Sequence, residues 1–74
     1  FGPDLLIVSA GFDAWRDDPL GGMRVTEAGF ASWGERLRAS AERLCAGRVV
    51  SLLEGGYDLD ALPRLVCSYS SYML

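Results

Sequence analysis

The sequence has no histidine and no lysine among its 74 residues, and only two cysteines and three prolines. The missing histidine removes the commonest metal ligand and the usual general base near neutral pH, so these residues alone cannot assemble a complete hydrolytic site of the usual kind. All seven basic residues are arginine and ten acids outnumber them, for a net charge of -3. That balance creates no field to gather nucleic acid or anionic lipid, so direct nucleic-acid binding is disfavoured. Cys45 and Cys67 have neither the close spacing of a zinc knuckle nor the density of a disulfide scaffold. They read as buried or half-buried free thiols in a reducing, cytoplasmic setting. The longest strongly apolar run, Leu5 to Val8, falls far short of the roughly 20 residues of a membrane span, so no membrane contact is expected. Phe1-Gly2-Pro3-Asp4 has no signal-like character, and a chain that begins without Met suggests a cut piece.

What is present describes a small globular unit. Half the residues are hydrophobic and 23% are charged, an ordinary folded mixture. A chain of this length makes one domain at most and buries only about 60% of its unfolded surface. Leu5-Leu6-Ile7-Val8-Ser9-Ala10, between Pro3 and Gly11, shows no polar alternation and reads as a strand buried on both faces. The stretch from Gly11 to Val25, punctuated by Asp-Asp-Pro and Gly-Gly, reads as a long ordered loop and is a functional suspect by its length. Thr26 as N-cap, Glu27 in the first turn and Gly47 as a stop predict a helix from Glu27 to Cys45. Its apolar stripe, Phe30, Trp33, Leu37, Ala41 and Leu44, should lie against a sheet.

Arg48 to Glu54 reads as a second strand, ended by Gly55-Gly56, and the three elements together form a βαβ unit. From Asp58 or Asp60 onward a helix with an acidic cap is expected, with Leu62, Leu65 and Val66 facing inward and Pro63 limiting how early it starts. After Val66 the period is lost, leaving a frayed end and an ordered element equally open. No repeat, linker or low-complexity tract interrupts the chain.

Parallel strands end on one edge of their sheet, and open α/β sheets bind ligands at that edge. Gly11-Phe12-Asp13-Ala14-Trp15 and Glu54-Gly55-Gly56-Tyr57 therefore converge on one rim. Asp13, just off a buried strand, fits either a rigidly held oxygen ligand for a metal or a carboxylate that caps its own loop. Tyr57 fits either a hydroxyl aimed at a developing oxyanion or a core tyrosine. Asp17 and Asp18 read as exposed turn residues ahead of Pro19. A nucleotide site ranks low, because no Gly-x-Gly-x-x-Gly follows the first strand and there is no P-loop lysine.

Read together, Pro3-Asp4-Leu5-Leu6-Ile7-Val8-Ser9-Ala10-Gly11-Phe12-Asp13-Ala14, Asp18-Pro19-Leu20-Gly21 and Leu53-Glu54-Gly55-Gly56-Tyr57-Asp58-Leu59 resemble the carboxyl-terminal part of the histone deacetylase family. The bacterial members, with acetylpolyamine amidohydrolases and acetoin-utilisation proteins, are the nearer branch. The resemblance runs to about Val66, within a partial catalytic domain over 1–74. It implies a fragment of an arginase/deacetylase-like parallel-sheet α/β fold, one βαβ unit plus a C-terminal helix. It also implies a Zn2+-dependent hydrolase that removes acetyl groups from acetyl-lysine or acetylated polyamines. Asp13 matches a zinc ligand of the family and Tyr57 its oxyanion-stabilising tyrosine. Gly55 and Gly56 match the glycine segment beside the substrate channel, and Leu20 matches a position at its mouth.

The family's Asp-x-His ligand motif and paired histidines have no counterpart here, and Trp15 stands where the bacterial pattern usually has histidine. The implied expectation is a chain inactive in isolation, with its remaining zinc ligands elsewhere. The alternative is a non-catalytic α/β interaction module or degenerate paralogue that associates through open sheet edges.

Overall fold

The computed structural model describes residues 1–71 and 73. Leu6–Ala10 forms β1 and Val49–Leu53 forms β2, with α1 (Glu27–Cys45) between them and α2 (Leu62–Ser70) after them. The strands are parallel neighbours in register from Leu6 opposite Val49 to Ala10 opposite Leu53. Their pairing runs on past both ends. Leu6 N–H donates to Arg48 O at 3.0 Å at the start, and Phe12 N–H donates to Gly55 O at 2.8 Å beyond the carboxyl edge. The expected βαβ unit with a C-terminal helix is the observed architecture.

The caps of α1 follow from its sequence. Thr26, in extended backbone, accepts the Gly29 N–H on its Oγ1 at 3.1 Å, which satisfies one of the donors a helix start leaves open. At the other end Ala46 takes the left-handed conformation at φ 56° ahead of Gly47, whose N–H bonds back to Ala41 O at 3.0 Å. The stop falls one residue before the glycine that signals it, within a closure of the Schellman kind.

The buried stripe of α1 is Phe30, Gly34, Ala41 and Cys45, with Leu37 packed at its margin. Trp33, at 46% exposure, and Leu44 lie outside it. The expected stripe is thus rotated toward Gly34, because α1 packs chiefly on α2 rather than across the sheet. Gly34 lies against the Tyr69 backbone, and a Cβ built there would sit 1.9 Å from Tyr69 O.

Helix α2 starts after the Asp58 turn rather than on an acidic cap. Ala61 is its N-cap with no side-chain bond, and Asp58 Oδ1 accepts the Ala61 N–H at 3.1 Å from the preceding turn. Leu65 is buried, and Leu62 and Val66 pack beside it as expected. Order continues past Val66, because Tyr69 is buried and its hydroxyl lies 2.8 Å from Ser51 Oγ on β2. Cys67 is exposed, against the expectation of a sheltered thiol, while Cys45 is buried. Tyr72 and Leu74, part of the segment whose order was open, lie outside the described residues.

Phe12, Trp15, Phe30, Ala61, Leu65 and Tyr69 make one core. Phe12 anchors it, with its ring 5.1 Å from Phe30 and 5.5 Å, edge-on, from Tyr69. This core lies under the carboxyl end of the sheet, fed by the loop after β1 and by both helices. The strands themselves are not buried on both faces. Ile7 is 66% exposed, and Val50, Leu52 and Leu53 are also exposed, because among the described residues no further strand or helix covers that side of the two-stranded sheet. The Cα radius of gyration, 12.7 Å, exceeds the roughly 11 Å of a compact domain of this length.

Gly34→Ala tests the helix contact. Helix propensity alone favours the substitution by about 1 kcal/mol, but a methyl overlapping a backbone oxygen forces the helices apart. A net loss of about 1 kcal/mol or more is expected in urea unfolding, and an unchanged or raised midpoint would contradict the close approach.

Candidate functional site

The loop spanning residues 11–25 is ordered by its own backbone. Val25 N–H donates to Ala14 O at 2.9 Å and Arg16 N–H to Val25 O at 3.0 Å, which closes the loop base in a parallel bridge between Trp15 and Val25. Inside this frame Asp18 is buried at 8% exposure. Its Oδ1 accepts the N–H groups of Leu20 at 2.9 Å and Gly21 at 3.0 Å. Its Oδ2 reaches across to the loop after β2 and accepts the Tyr57 N–H at 2.8 Å. The reading of Asp18 as an exposed turn residue is therefore corrected. The Asp-Asp-Pro pattern marks the turn, but the second acid points inward, where backbone donors compensate its burial.

Desolvation raises the Asp18 pKa, while the backbone N–H groups of Tyr57, Leu20, Gly21 and Asp58 together lower it by more, leaving it below the ordinary 3.8. A second cross-link lies beside the first: Trp15 Nε1 donates to Asp58 Oδ2 at 3.1 Å. Trp15 is buried, with the Arg16 and Arg64 guanidiniums 5.1 and 5.8 Å from its ring centroid. Trp15 thus both fills the core and ties the two loops together.

Asp13 sits at the rim between these loops. Its main chain lies against Gly21, where a Cβ would fall 1.6 Å from Asp13 O, and its carboxylate lies over Gly55, where a Cβ would meet Cγ at 3.1 Å. At Gly21 only a residue without a side chain allows that approach, and at Gly55 a side chain would press on the Asp13 carboxylate. Among the described residues no donor bonds to the Asp13 carboxylate; Asp18 performs the loop-capping role.

Tyr57 divides in the same way. It is 48% exposed and its backbone is held by Asp18, so it is no core tyrosine, whereas Tyr69 is buried. Gly55 is buried and Gly56 holds φ 140°, a conformation side chains rarely adopt. Leu20 stands 73% exposed on the loop that Asp18 braces. The structure thus brings Asp13, Leu20, Gly55, Gly56 and Tyr57 to one edge. Two cavities, of about 460 and 270 Å³, open between the sheet and the helices, and Asp13, Gly55 and Tyr57 line neither. No group of three or more His, Cys, Asp or Glu side chains gathers among the described residues, so Asp13 stands as a single oxygen donor.

The acetylpolyamine aminohydrolase from Burkholderia pseudomallei matches with a TM-score of 0.82 and 37% identity over 96% of this chain and 19% of its own. The HDA15 HD domain matches with a TM-score of 0.80 and 40% identity over 100% of this chain and 20% of its own. The fold is therefore part of the α/β fold of these deacetylases. The family model "Histone deacetylase domain" matches residues 1–73, and the chain belongs to the histone deacetylase family. The rice protein "Histone deacetylase 10, chloroplastic" (Oryza sativa subsp. japonica) is 48% identical over 66 residues, 89% of this chain and 15% of that protein. The chain spans about a fifth or less of the length of these relatives.

The Asp18 carboxylate also predicts a pH dependence. A folded-state pKa below the unfolded one contributes stability above the unfolded value, and that contribution is lost as pH falls through the folded value. The stability difference between the protein and its Asp18→Asn variant should be full near neutrality and shrink as pH drops below 3.8. Thermal unfolding across that range checks it, and a difference that stays constant into acid would contradict it.

Proposed function

We propose that these residues form one side of the active site of a zinc-dependent deacetylase acting on acetylated lysine or acetylated polyamines. The observation that carries the reading is that Asp13 and Tyr57 reach the same sheet edge while Asp18, not Asp13, caps the loop and Tyr57 stays exposed rather than in the core. The relatives support the reaction class, since histone deacetylase and acetylpolyamine aminohydrolase both act on acetylated amines.

Asp13 fits the metal. A carboxylate is a hard oxygen donor suited to zinc, and the Gly21 and Gly55 backbones hold it without occupying its oxygens. Zinc would polarise the acetyl carbonyl and activate water. Hydrolysis adds water across the amide: its oxygen bonds to the carbonyl carbon, the C–N bond breaks, and acetate and the free amine leave. Tyr57 O–H donates a hydrogen bond to the carbonyl oxygen as negative charge builds there. Gly55 and Gly56 keep the approach open, and Leu20 offers apolar surface to the alkyl chain. The chain contains no histidine, so the groups that carry protons in the reaction belong to the rest of the domain.

Free thiols at Cys45 and Cys67 favour a reducing, cytoplasmic setting as part of this proposal, and among the described residues no helix is long and apolar enough to cross a membrane. A second reading, a non-catalytic module that associates through its open sheet, is favoured by the bare apolar face of Ile7, Val50 and Leu52. Sedimentation at rising concentration separates the two, since a strictly monomeric chain removes the support for association.

In a complete deacetylase domain carrying these residues, Tyr57→Phe should lower kcat by about 10²–10³ with metal content unchanged, while Asp13→Asn should lose both metal and activity. Retention of full activity by either variant would overturn its assigned role. Catalytic zinc usually takes three protein ligands, so the isolated chain should hold no stoichiometric zinc in equilibrium dialysis. Tight one-to-one binding by these residues alone would contradict the description of the site.

A further inference from the structure

We infer that Asp18 is a positioning residue for the reaction, acting through the Tyr57 backbone, which its one carboxylate ties to the Leu20-Gly21 turn. The inference rests on the reading of Tyr57 as the oxyanion donor and goes beyond it, because Asp18 touches neither metal nor substrate in that reading.

Three observations converge. The two oxygens of Asp18 have separate jobs, Oδ1 closing the Leu20-Gly21 turn at 2.9 and 3.0 Å and Oδ2 holding the Tyr57 N–H at 2.8 Å. The carboxylate is buried and its known contacts are all backbone donors, so it fixes chain position rather than pairing with a mobile cation. Finally, the Tyr57 side chain is itself half exposed and follows Gly56 at φ 140°. Packing therefore does little to orient it, and its placement depends on where its backbone is tethered. An interaction that holds a donor within hydrogen-bond reach of the reacting oxygen governs rate strongly, and a displacement of about 1 Å costs on the order of 10²-fold.

Asparagine at this position has one acceptor oxygen instead of two, so it can keep the Leu20-Gly21 turn or the Tyr57 tether but not both. In a complete deacetylase domain, Asp18→Asn should lower kcat about tenfold to a hundredfold, with zinc content unchanged. The deciding comparison is a double-mutant cycle with Tyr57→Phe. If Asp18 acts through the tyrosine, adding Asp18→Asn to the Tyr57→Phe enzyme should cost less than twofold.

An equal fall in kcat in both backgrounds, or no fall in either, would overturn the inference while leaving the role of Tyr57 intact. A fully active Tyr57→Phe enzyme would overturn the proposed role of Tyr57 and the inference with it. Hydrogen exchange on the unsubstituted domain gives a test that does not depend on the variants folding. A strongly protected Tyr57 amide is expected, and exchange at the rate of an open loop would overturn the tether.

Discussion

One carboxylate holds the rim together. Asp18 joins the loop after β1 to the loop after β2 by accepting N–H bonds from both, and the Trp15–Asp58 and Phe12–Gly55 hydrogen bonds reinforce the seam on either side. A buried carboxylate without partners would be costly. The N–H groups at the turn and at Tyr57 would also be costly to bury unpaired. Each requirement answers the other, so a loop of irregular backbone can stay ordered over a small core. The glycine at 21 then follows as a consequence: once the loops are drawn this close, a side chain there would overlap the Asp13 backbone, and one at Gly55 would crowd its carboxylate.

The distribution of apolar surface shows how much of the stabilisation lies within these residues. The aromatic core under the carboxyl edge is well buried, and the helices meet backbone to backbone at Gly34. The strands carry the composition of a doubly covered sheet yet leave Ile7, Val50, Leu52 and Leu53 exposed. Apolar area left in water contributes nothing to stability, so the part of the fold that shapes the rim is better supported by these residues than the part that holds the strands.

The strands, α1 and the convergence of Asp13 with Tyr57 were legible because each depends on local pattern: an unbroken apolar run, a Thr cap with a Gly stop, and the rule that parallel strands end on one edge. The course of α2 was less so. Tyr69 lies beyond the last clear apolar period, and its burial depends on Phe12 and Ser51, both distant in sequence. The stripe of α1 keeps Phe30 and Ala41 but takes Gly34 and Cys45 in place of Trp33 and Leu44, a turn that the pattern hides because Gly34 carries no hydrophobic signal, although its lack of a side chain lets α2 approach. Asp18 was the largest miss. Asp-Asp-Pro reads as a solvated turn, and the feature that makes the second acid structural is a backbone N–H 39 positions away. The only local hint was Gly21, three residues on, at the place where a capped turn needs a backbone donor.

The proposed site requires Asp13 and Tyr57 to face one reacting centre. A crystal structure of a complete domain carrying these residues, soaked with an acetylated amine and measured at the zinc absorption edge, tests it directly. The prediction is a zinc peak at about 2.0–2.2 Å from an Asp13 carboxylate oxygen and the Tyr57 hydroxyl within hydrogen-bond distance of the acetyl oxygen. A metal held without Asp13, or an acetyl group bound out of reach of Tyr57, would contradict it.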